Sequence, residues 1–478
     1  MGTNHHAVSK QPTTAERIIF YSFLVLLFWL PLPLGSNRPW AWALMEIFSF
    51  CMLGGLLWIN KATFVERLKP YRIAILLFSI FCLWVWVQQL SLPVDMVRLL
   101  SPNGFALFSN AGVQEGLSIS VDATQTKISF IKSLSYLSFF ICCLLLVTSS
   151  ERAKMIMLCF LAAGVWQAVY GSFEALSGHS TSLVFDLPVK NIATGTFVYR
   201  NHYANFLVLC LAVSIGYLVS TLETRSLPTR KAKLRSALTS LLNGKALVRI
   251  CLAIMVIALV MSRSRMGNTA FFVAMTITGL LGLYLIKNKT RGLTLLIISM
   301  FIIDIFILSA WFGLDKVQER LVQTSLEQES RDEVVRDALP LLSDFALSGS
   351  GMGSFYGIFP GYQSEYVRLF YDHVHNDYLQ FAIEAGVPAT LLLLFLVSWC
   401  FYSAVNAMRT REDSVMRGVA FGCVMAIFAM ALHMTVDFPL QAPANAAYFV
   451  TIMALSLVST RVKRENRRRR SVNVYSGA

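Results

Sequence analysis

Apolar runs of about 20 residues, separated by short polar or Pro/Gly-rich breaks, fill most of the sequence. A run of this length can cross the hydrocarbon core of a bilayer as one helix. The pattern therefore predicts an all-α integral membrane protein with about twelve transmembrane helices. The predicted spans lie near residues 17–36, 40–59, 72–90, 131–148, 154–172, 203–222, 247–263, 268–286, 292–312, 385–407, 416–436 and 442–459.

The composition agrees with this prediction. Of the 478 residues, 56 % are hydrophobic and 14 % are charged, whereas soluble domains carry roughly 25 % charged residues. This excludes most soluble enzyme folds, secreted disulfide scaffolds and disordered proteins. The nine cysteines all lie in apolar runs without a CxxC spacing, so we expect small buried side chains rather than disulfides or metal ligands.

In a membrane protein, the net charge of +14 is first interpreted as a signal of membrane topology. About two thirds of the 41 Lys and Arg residues lie in segments on the N-terminal side of the predicted spans. Because such residues are retained in the cytoplasm, both termini are predicted to lie inside. Residues 1–16 form a predicted cytoplasmic tail, 17–460 the membrane domain and 461–478 a basic cytoplasmic tail. That last tail is predicted to be a topological anchor, with a nucleic-acid or anionic-lipid patch as the alternative.

The longest predicted outer segment, about 313–384, is expected to be a partly helical periplasmic loop. Ser330 and Glu333 have the spacing of a capping box, which predicts a short helix there. Gly349-Ser-Gly-Met-Gly353 imitates a nucleotide-binding fingerprint but follows no predicted strand. We therefore expect a tight loop with positive φ angles.

Unusual polar residues gather at the predicted outer ends of four spans. They occur in Tyr199–Asn205, Ser262–Gly267, Asp372–Gln380 and Asp437–Gln441. Since these stretches meet at one membrane face, they are the candidate site.

Two arginines, Arg263 and Arg265, close the seventh predicted span on the outer side, against the positive-inside trend. An arginine at this depth requires an anionic or carbonyl partner, and its planar donors suit phosphate oxygens. With Arg200 from a neighbouring span, the pattern indicates a diphosphate site. The alternative is that these side chains extend to the lipid headgroups.

His373 and His375 precede the tenth predicted span. A neutral imidazole there can accept a proton from a hydroxyl nucleophile. With Asp372 or Asp377 the histidines could instead bind a metal, although no metal-binding motif is present. A purely structural role is the third alternative.

Together these motifs resemble the O-antigen ligase/polymerase superfamily. The resemblance rests on Arg200-Asn-His, on Ser264-Arg265, and on His375-Asn-Asp-Tyr-Leu-Gln at the end of a long outer loop. The segment Leu347–Phe355 and the segment Asp437–Asn445 are also similar to parts of that family. The similarity covers about residues 190–445.

The resemblance implies a metal-independent inverting glycosyltransferase, without a cofactor, at the periplasmic face of a bacterial inner membrane. Its donor is an undecaprenyl-diphosphate-linked glycan, and its acceptor is a hydroxyl of lipid A-core or of another glycan. His375 would orient or deprotonate the acceptor, while Arg200 and Arg265 would stabilise the leaving diphosphate. The expected substrate-binding residues are Arg263, Arg331, His373, Asn376, Tyr378, His202 and Asp437. Membrane lipids are expected partners and nucleic acid is not.

The duplicated Arg263/Arg265 and His373/His375 depart from the family pattern. The Ser-Arg-small and His-Asn patterns favour the second member of each pair. Ligation of O-antigen to lipid A-core is the predicted reaction. The alternatives are an O-antigen or exopolysaccharide polymerase, a protein O-oligosaccharyltransferase and a polysaccharide transporter.

Overall fold

The computed structural model describes residues 13–188, 191–222, 244–286, 332–365 and 370–462, together with residues 294, 298, 299 and 367. Throughout these ranges the protein is helical and forms no named β-strand. This confirms the predicted all-α class. The two predicted tails lie almost entirely outside the described residues.

The helices follow the apolar runs of the sequence. The first eight are α1 (Thr14–Trp29), α2 (Pro39–Ile59), α3 (Phe64–Leu68), α4 (Arg72–Gln88), α5 (Val94–Leu100), α6 (Pro102–Asn110), α7 (Ala123–Leu146) and α8 (Ser150–Ser177). The others are α9 (Arg200–Ser220), α10 (Gly244–Met261), α11 (Arg265–Leu285), α12 (residues 332–345), α13 (Phe355–Ile358), α14 (Asp377–Ala385), α15 (Val387–Thr410), α16 (Ser414–His433) and α17 (Pro443–Ser459).

Eight helices in the described ranges are long and apolar enough to cross a membrane, with Phe64–Gln88 taken as one. Shorter apolar helices span Ala246–Met261 and Pro443–Ser459. Eleven of the twelve predicted spans overlap these helices, and most of the ninth, 292–312, lies outside the described residues. The total of twelve spans and the inside location of the termini stay predictions.

Helix α9 forms the centre of the bundle and shares its largest interface with α16. The two backbones approach closely at Gly216, Gly418 and Gly422. A Cβ on Gly216 would lie 2.3 Å from the Gly418 carbonyl oxygen. Gly418 and Gly422 form a G-x-x-x-G spacing, which brings membrane helices together by backbone packing.

A buried ion cluster joins α1, α3 and α8 at the end of the bundle opposite to the first residue of α9. Arg67 Nη2 donates to Glu16 Oε1 at 2.9 Å and to the Leu145 carbonyl at 2.6 Å. Arg152 Nη1 lies 3.8 Å from the same Glu16 oxygen and donates to the Leu146 carbonyl at 2.7 Å. The two arginines thus satisfy the last carbonyls of α7, which have no partner within their own helix.

The loop Gly349–Gly353 ties the outer segment to the bundle. Gly349, Gly351 and Gly353 all have positive φ angles, which confirms the predicted tight loop. Gly351 N donates to the Glu384 carbonyl at 3.0 Å, and Gln88 Nε2 donates to the Ser348 carbonyl at 2.8 Å.

Replacing Gly351 by Ala is expected to destabilise the protein by roughly 2–4 kcal/mol, seen as a lower melting temperature in detergent. Its φ is +106°, and an added Cβ would lie 2.0 Å from Ser120 Oγ. The control is Gly357→Ala, because nothing lies within 4 Å of the added Cβ there. Equal melting temperatures for the two variants would contradict the packing role of this loop.

Candidate active site

Four aromatic side chains from two distant segments surround Phe438. The Tyr199 and His373 rings stack on it, with centroids 5.4 and 4.5 Å away. The His202 and His375 rings meet it edge-on, at 4.9 and 4.8 Å. Phe438 thus brings the start of α9, the segment before α14 and the segment between α16 and α17 into one cluster. Three histidines predicted from the sequence lie in it.

His375 occupies a strained backbone position. Its φ is +59°, a left-handed value that non-glycine residues adopt at a cost of roughly 1–3 kcal/mol. The next residue, Asn376, begins α14 as its N-cap, accepting from Leu379 N at 3.0 Å, and donates to the Thr435 carbonyl at 3.0 Å. The capped helix therefore fixes the His375 backbone from its C-terminal side.

His373 is held in a different way. Both polar atoms of the Gln380 amide lie close to His373 Nδ1, with Nε2 at 3.0 Å and Oε1 at 3.2 Å, and Gln380 Oε1 accepts from Val374 N at 3.4 Å. The His373 Nε2 atom lies 3.9 Å from Asp372 Oδ2. Burial lowers the pKa of His373, and the Asp372 carboxylate opposes this effect. Stacking and hydrogen bonding thus fix the ring of His373.

Asp437 links the first turn of α9 to the aromatic cluster. Asn201 Nδ2 donates to Asp437 Oδ2, and Phe438 N donates to Asp437 Oδ1 at 2.8 Å. His202 Nε2 lies 3.2 Å from the Phe438 carbonyl oxygen. The carboxylate of Asp437 therefore positions the turn that presents Phe438 to the histidines.

Asp377, the first residue of α14, is completely buried. Its Oδ2 accepts from Leu440 N at 2.9 Å, and its Oδ1 accepts from Gln441 Nε2 at 3.2 Å. Burial raises the pKa of this carboxyl to about 8. Next to it, the Tyr378 hydroxyl donates to the Ala431 carbonyl at 2.9 Å. Both side chains thus join α14 to the segments around α16.

Arg200 and Arg265 are the first residues of two neighbouring helices, α9 and α11. The first turns of these helices pack closely, since a Cβ on Gly267 would lie 2.6 Å from Ala204 Cβ. Ser264 caps α11 by accepting from Gly267 N at 3.2 Å. Two positive helix ends and two guanidinium groups therefore lie at one end of the bundle, which favours an anion.

Arg263 has a φ of +51° and, like Arg265, is exposed to solvent. Its left-handed conformation forms the short reversal between α10 and α11. The remaining predicted residue, Arg331, lies outside the described residues.

The sequence reasoning assigned no role to Phe438, Tyr199, Asn201 or Gln380. The sequence feature that could have indicated Phe438 is its position between Asp437 and Pro439, in a polar stretch at the end of a predicted span. Glu46 of α2 and Lys132 of α7 interact electrostatically, although they lie far apart in the sequence.

Among the described residues, no group of three or more His, Cys, Asp and Glu side chains has a geometry that could hold a metal ion. The nine cysteines are all free thiols. Metal-independent transfer stays a prediction, since a substrate diphosphate can supply ligands of its own.

We expect excess EDTA to leave the transfer rate unchanged within twofold, because the arginines expected at the leaving group would take the place of a metal ion. The measurement is glycan transfer by purified protein before and after chelation. Complete loss of activity, restored by a single divalent cation, would contradict this prediction.

The sequence comparisons agree with this geometry. Residues 250–394 match the family described as O-antigen ligase. The resemblance to the O-antigen ligase superfamily is confirmed. We call residues 250–394 the O-antigen ligase segment, and this segment contains Arg265, His373 and His375. Arg200 and Phe438 lie outside the segment, and the folding of the chain brings them to the site. No curated protein matches the chain. The family and the apolar helices together indicate a multi-pass membrane protein of the O-antigen ligase or polymerase type.

Proposed function

We propose that this protein is an inverting glycosyltransferase at the periplasmic face of a bacterial inner membrane. It transfers a glycan from undecaprenyl diphosphate to a hydroxyl of lipid A-core, completing lipopolysaccharide. The observation that carries this proposal is the cluster of three histidines around Phe438, within a chain whose O-antigen ligase segment also supplies Arg265.

The leaving group determines the task of the arginines. When the bond between the anomeric carbon and the phosphate oxygen breaks, the bonding electrons remain on the diphosphate. Arg200 and Arg265, at the positive ends of α9 and α11, are suited to stabilise that charge. Arg263 is available for outer phosphate or glycan oxygens.

The acceptor hydroxyl needs a base as it attacks the anomeric carbon. His375 is our candidate, because the His-Asn pattern of the family falls on His375 and Asn376 and the His375 ring meets Phe438 edge-on at 4.8 Å. The acceptor oxygen forms the new glycosidic bond and its proton passes to His375, while the configuration at the anomeric carbon inverts. His373, Asn376 and His202 then shape the site around the base.

Reconstitution tests this proposal. Purified protein is mixed with undecaprenyl-diphosphate-linked glycan and lipid A-core, and the products are separated on gels. Conversion of lipid A-core to a larger species supports ligation. Longer glycans on the lipid carrier, with lipid A-core unchanged, would indicate a polymerase. The absence of both products would contradict a glycosyltransferase acting on these substrates.

A further inference from the structure

A chain of buried polar side chains leads from the end of α14 to His373. Glu384, near the end of that helix, is 1 % exposed, and so is Gln380 one helical turn before it. The Glu384 carbonyl accepts from Gly351 N at 3.0 Å and from Gln88 Nε2 at 2.9 Å. The backbone of Glu384 is therefore fixed by two other segments, the tight glycine loop and the last residue of α4.

The carboxyl group of Glu384 faces three hydrogen-bond donors. Its Oε1 atom accepts from Phe355 N at 3.2 Å and from Gln380 Nε2 at 3.3 Å. The backbone N–H of Gly353 also donates to this carboxyl group. Burial raises the pKa of Glu384 to about 7, and the three donors oppose that rise. Because every partner is a donor, the surroundings suit the ionised form, which only accepts.

The side-chain amide of Gln380 is held in one orientation. Its Nε2 atom faces the Glu384 carboxylate at 3.3 Å, and its Oε1 atom faces the Val374 N–H at 3.4 Å. A carboxylate only accepts and a backbone N–H only donates. Turning the amide over would therefore place oxygen against oxygen at Glu384 and N–H against N–H at Val374. Glu384 and Val374 together determine which end of the amide bears the nitrogen.

This orientation decides which nitrogen of the neutral His373 ring carries the proton. The Gln380 Nε2 atom has two hydrogens, and one of them points to Glu384. The other hydrogen is left for His373 Nδ1 at 3.0 Å, whereas Gln380 Oε1 already accepts from Val374 N. On the opposite side of the ring, the Asp372 carboxylate lies 3.9 Å from Nε2 and favours a proton there. Nδ1 is therefore the acceptor, and Nε2 carries the proton.

We propose that Glu384 is a positioning residue, which acts through Gln380 to keep the proton of His373 on Nε2. In this form His373 donates from Nε2 to a hydroxyl or phosphate oxygen of a substrate. Its ring and that of the candidate base His375 contact the same Phe438 side chain, at 4.5 and 4.8 Å. Because Nε2 already carries a proton, it cannot accept one from the nucleophile, which agrees with His375 as the base. This inference rests on the proposed function and adds a positioning residue to it.

The test is nitrogen NMR of the full-length protein with isotope-labelled histidine, in detergent at about pH 8.5, above the pKa of Glu384. The signals of His373 are those that vanish in His373→Ala. In the unmodified protein we expect a proton on Nε2 and none on Nδ1.

The informative variant combines Gln380→Glu with Glu384→Gln. It exchanges the amide and the carboxylate without a change in net charge or in the number of side-chain atoms. The carboxylate at position 380 then accepts from Val374 N and from the His373 ring. We therefore expect the proton of His373 to appear on Nδ1 in this exchange variant.

Transfer kinetics give the second readout. The exchange variant should raise one KM about tenfold, the effect of one lost hydrogen bond to a substrate, and leave kcat and the shape of the pH profile nearly unchanged. A raised KM for the donor assigns the substrate oxygen to the diphosphate-linked glycan. A raised KM for the acceptor assigns it to lipid A-core.

Gln88→Leu is the matched control for a purely structural effect. Gln88 donates to the Ser348 and Glu384 carbonyls and accepts from Met352 N. The control thus weakens the same junction without altering the Gln380 amide. It should lower the melting temperature but leave the proton of His373 and both KM values unchanged. A KM increase equal to that of the exchange variant would overturn the proposal.

A proton on Nδ1 of His373 in the unmodified protein would also overturn the proposal, and that measurement does not depend on the folding of a variant. The same holds if the proton stays on Nε2 in the folded exchange variant, or if both KM values are unchanged there. Glycan transfer in any of these cases would retain the enzyme and reject the action of Glu384. The expected proton positions without any glycan transfer would reject the enzyme and retain the action of Glu384 on His373.

Discussion

Replacing Arg265 by Ala is expected to lower the rate of glycan transfer by roughly a hundred- to a thousandfold. Removal of one fixed donor from a developing oxyanion costs roughly 3–4 kcal/mol in activation free energy. Arg265 begins α11, whose first turn packs against that of α9 at Gly267 and Ala204. The close packing of the two helix ends fixes the backbone that carries the Arg265 guanidinium, our candidate for stabilising the leaving diphosphate. The measurement is kcat with donor and acceptor at saturation.

Three variants make this result interpretable. Arg265→Lys keeps the charge but loses the planar pair of donors, so we expect an intermediate rate. Arg98→Ala removes an exposed arginine of α5, whose partner is Asp95 at 3.7 Å, and should retain full activity. Arg263→Ala tests the alternative assignment. A larger loss in Arg263→Ala than in Arg265→Ala would move the leaving-group role to Arg263.

Replacing His375 by Ala is expected to lower kcat by about a hundred- to ten-thousandfold, the range for loss of a general base. The capped start of α14 and the edge-on contact with Phe438 fix the position of His375. The pH dependence gives a second readout. Transfer by the unmodified protein should rise with pH as the base loses its proton, and the residual transfer by His375→Ala should lack that rise.

His373→Ala is the matched variant for this experiment. It removes the ring stacked on Phe438 and the partner of Gln380. We expect mainly a higher KM and an unchanged shape of the pH profile, since the base is retained. A lost pH dependence in His373→Ala, together with a normal profile in His375→Ala, would assign the base to His373.

Sequence patterns were sufficient for the fold class, because apolar runs of membrane length and local caps are properties of neighbouring residues. The positive φ angles of the loop Gly349–Gly353 are local in the same sense. The central position of α9 could also have been predicted from the sequence. Gly418-x-x-x-Gly422 is a recognised packing signal, and it lies on the helix that α9 contacts most.

The organisation of the site could not be predicted in this way. Phe438 collects rings from positions 199, 202, 373 and 375, more than sixty residues away in sequence. Hydropathy and charge predict on which side of the membrane each polar segment lies, but they do not predict which other segments it contacts. The same reason concealed the proximity of Glu46 and Lys132, which belong to different helices and appear as separate charges in the sequence.

The ion cluster of Glu16, Arg67 and Arg152 has a consequence for the order of assembly. All three side chains, and the Leu145 and Leu146 carbonyls that they satisfy, belong to the first third of the chain. The chain is made from its N-terminus, and early segments can assemble first. The ion cluster can therefore form before Arg200, His375 or Phe438 leaves the ribosome. The packed N-terminal helices can thus be in place when the later helices, which carry the site residues, insert and pack against them.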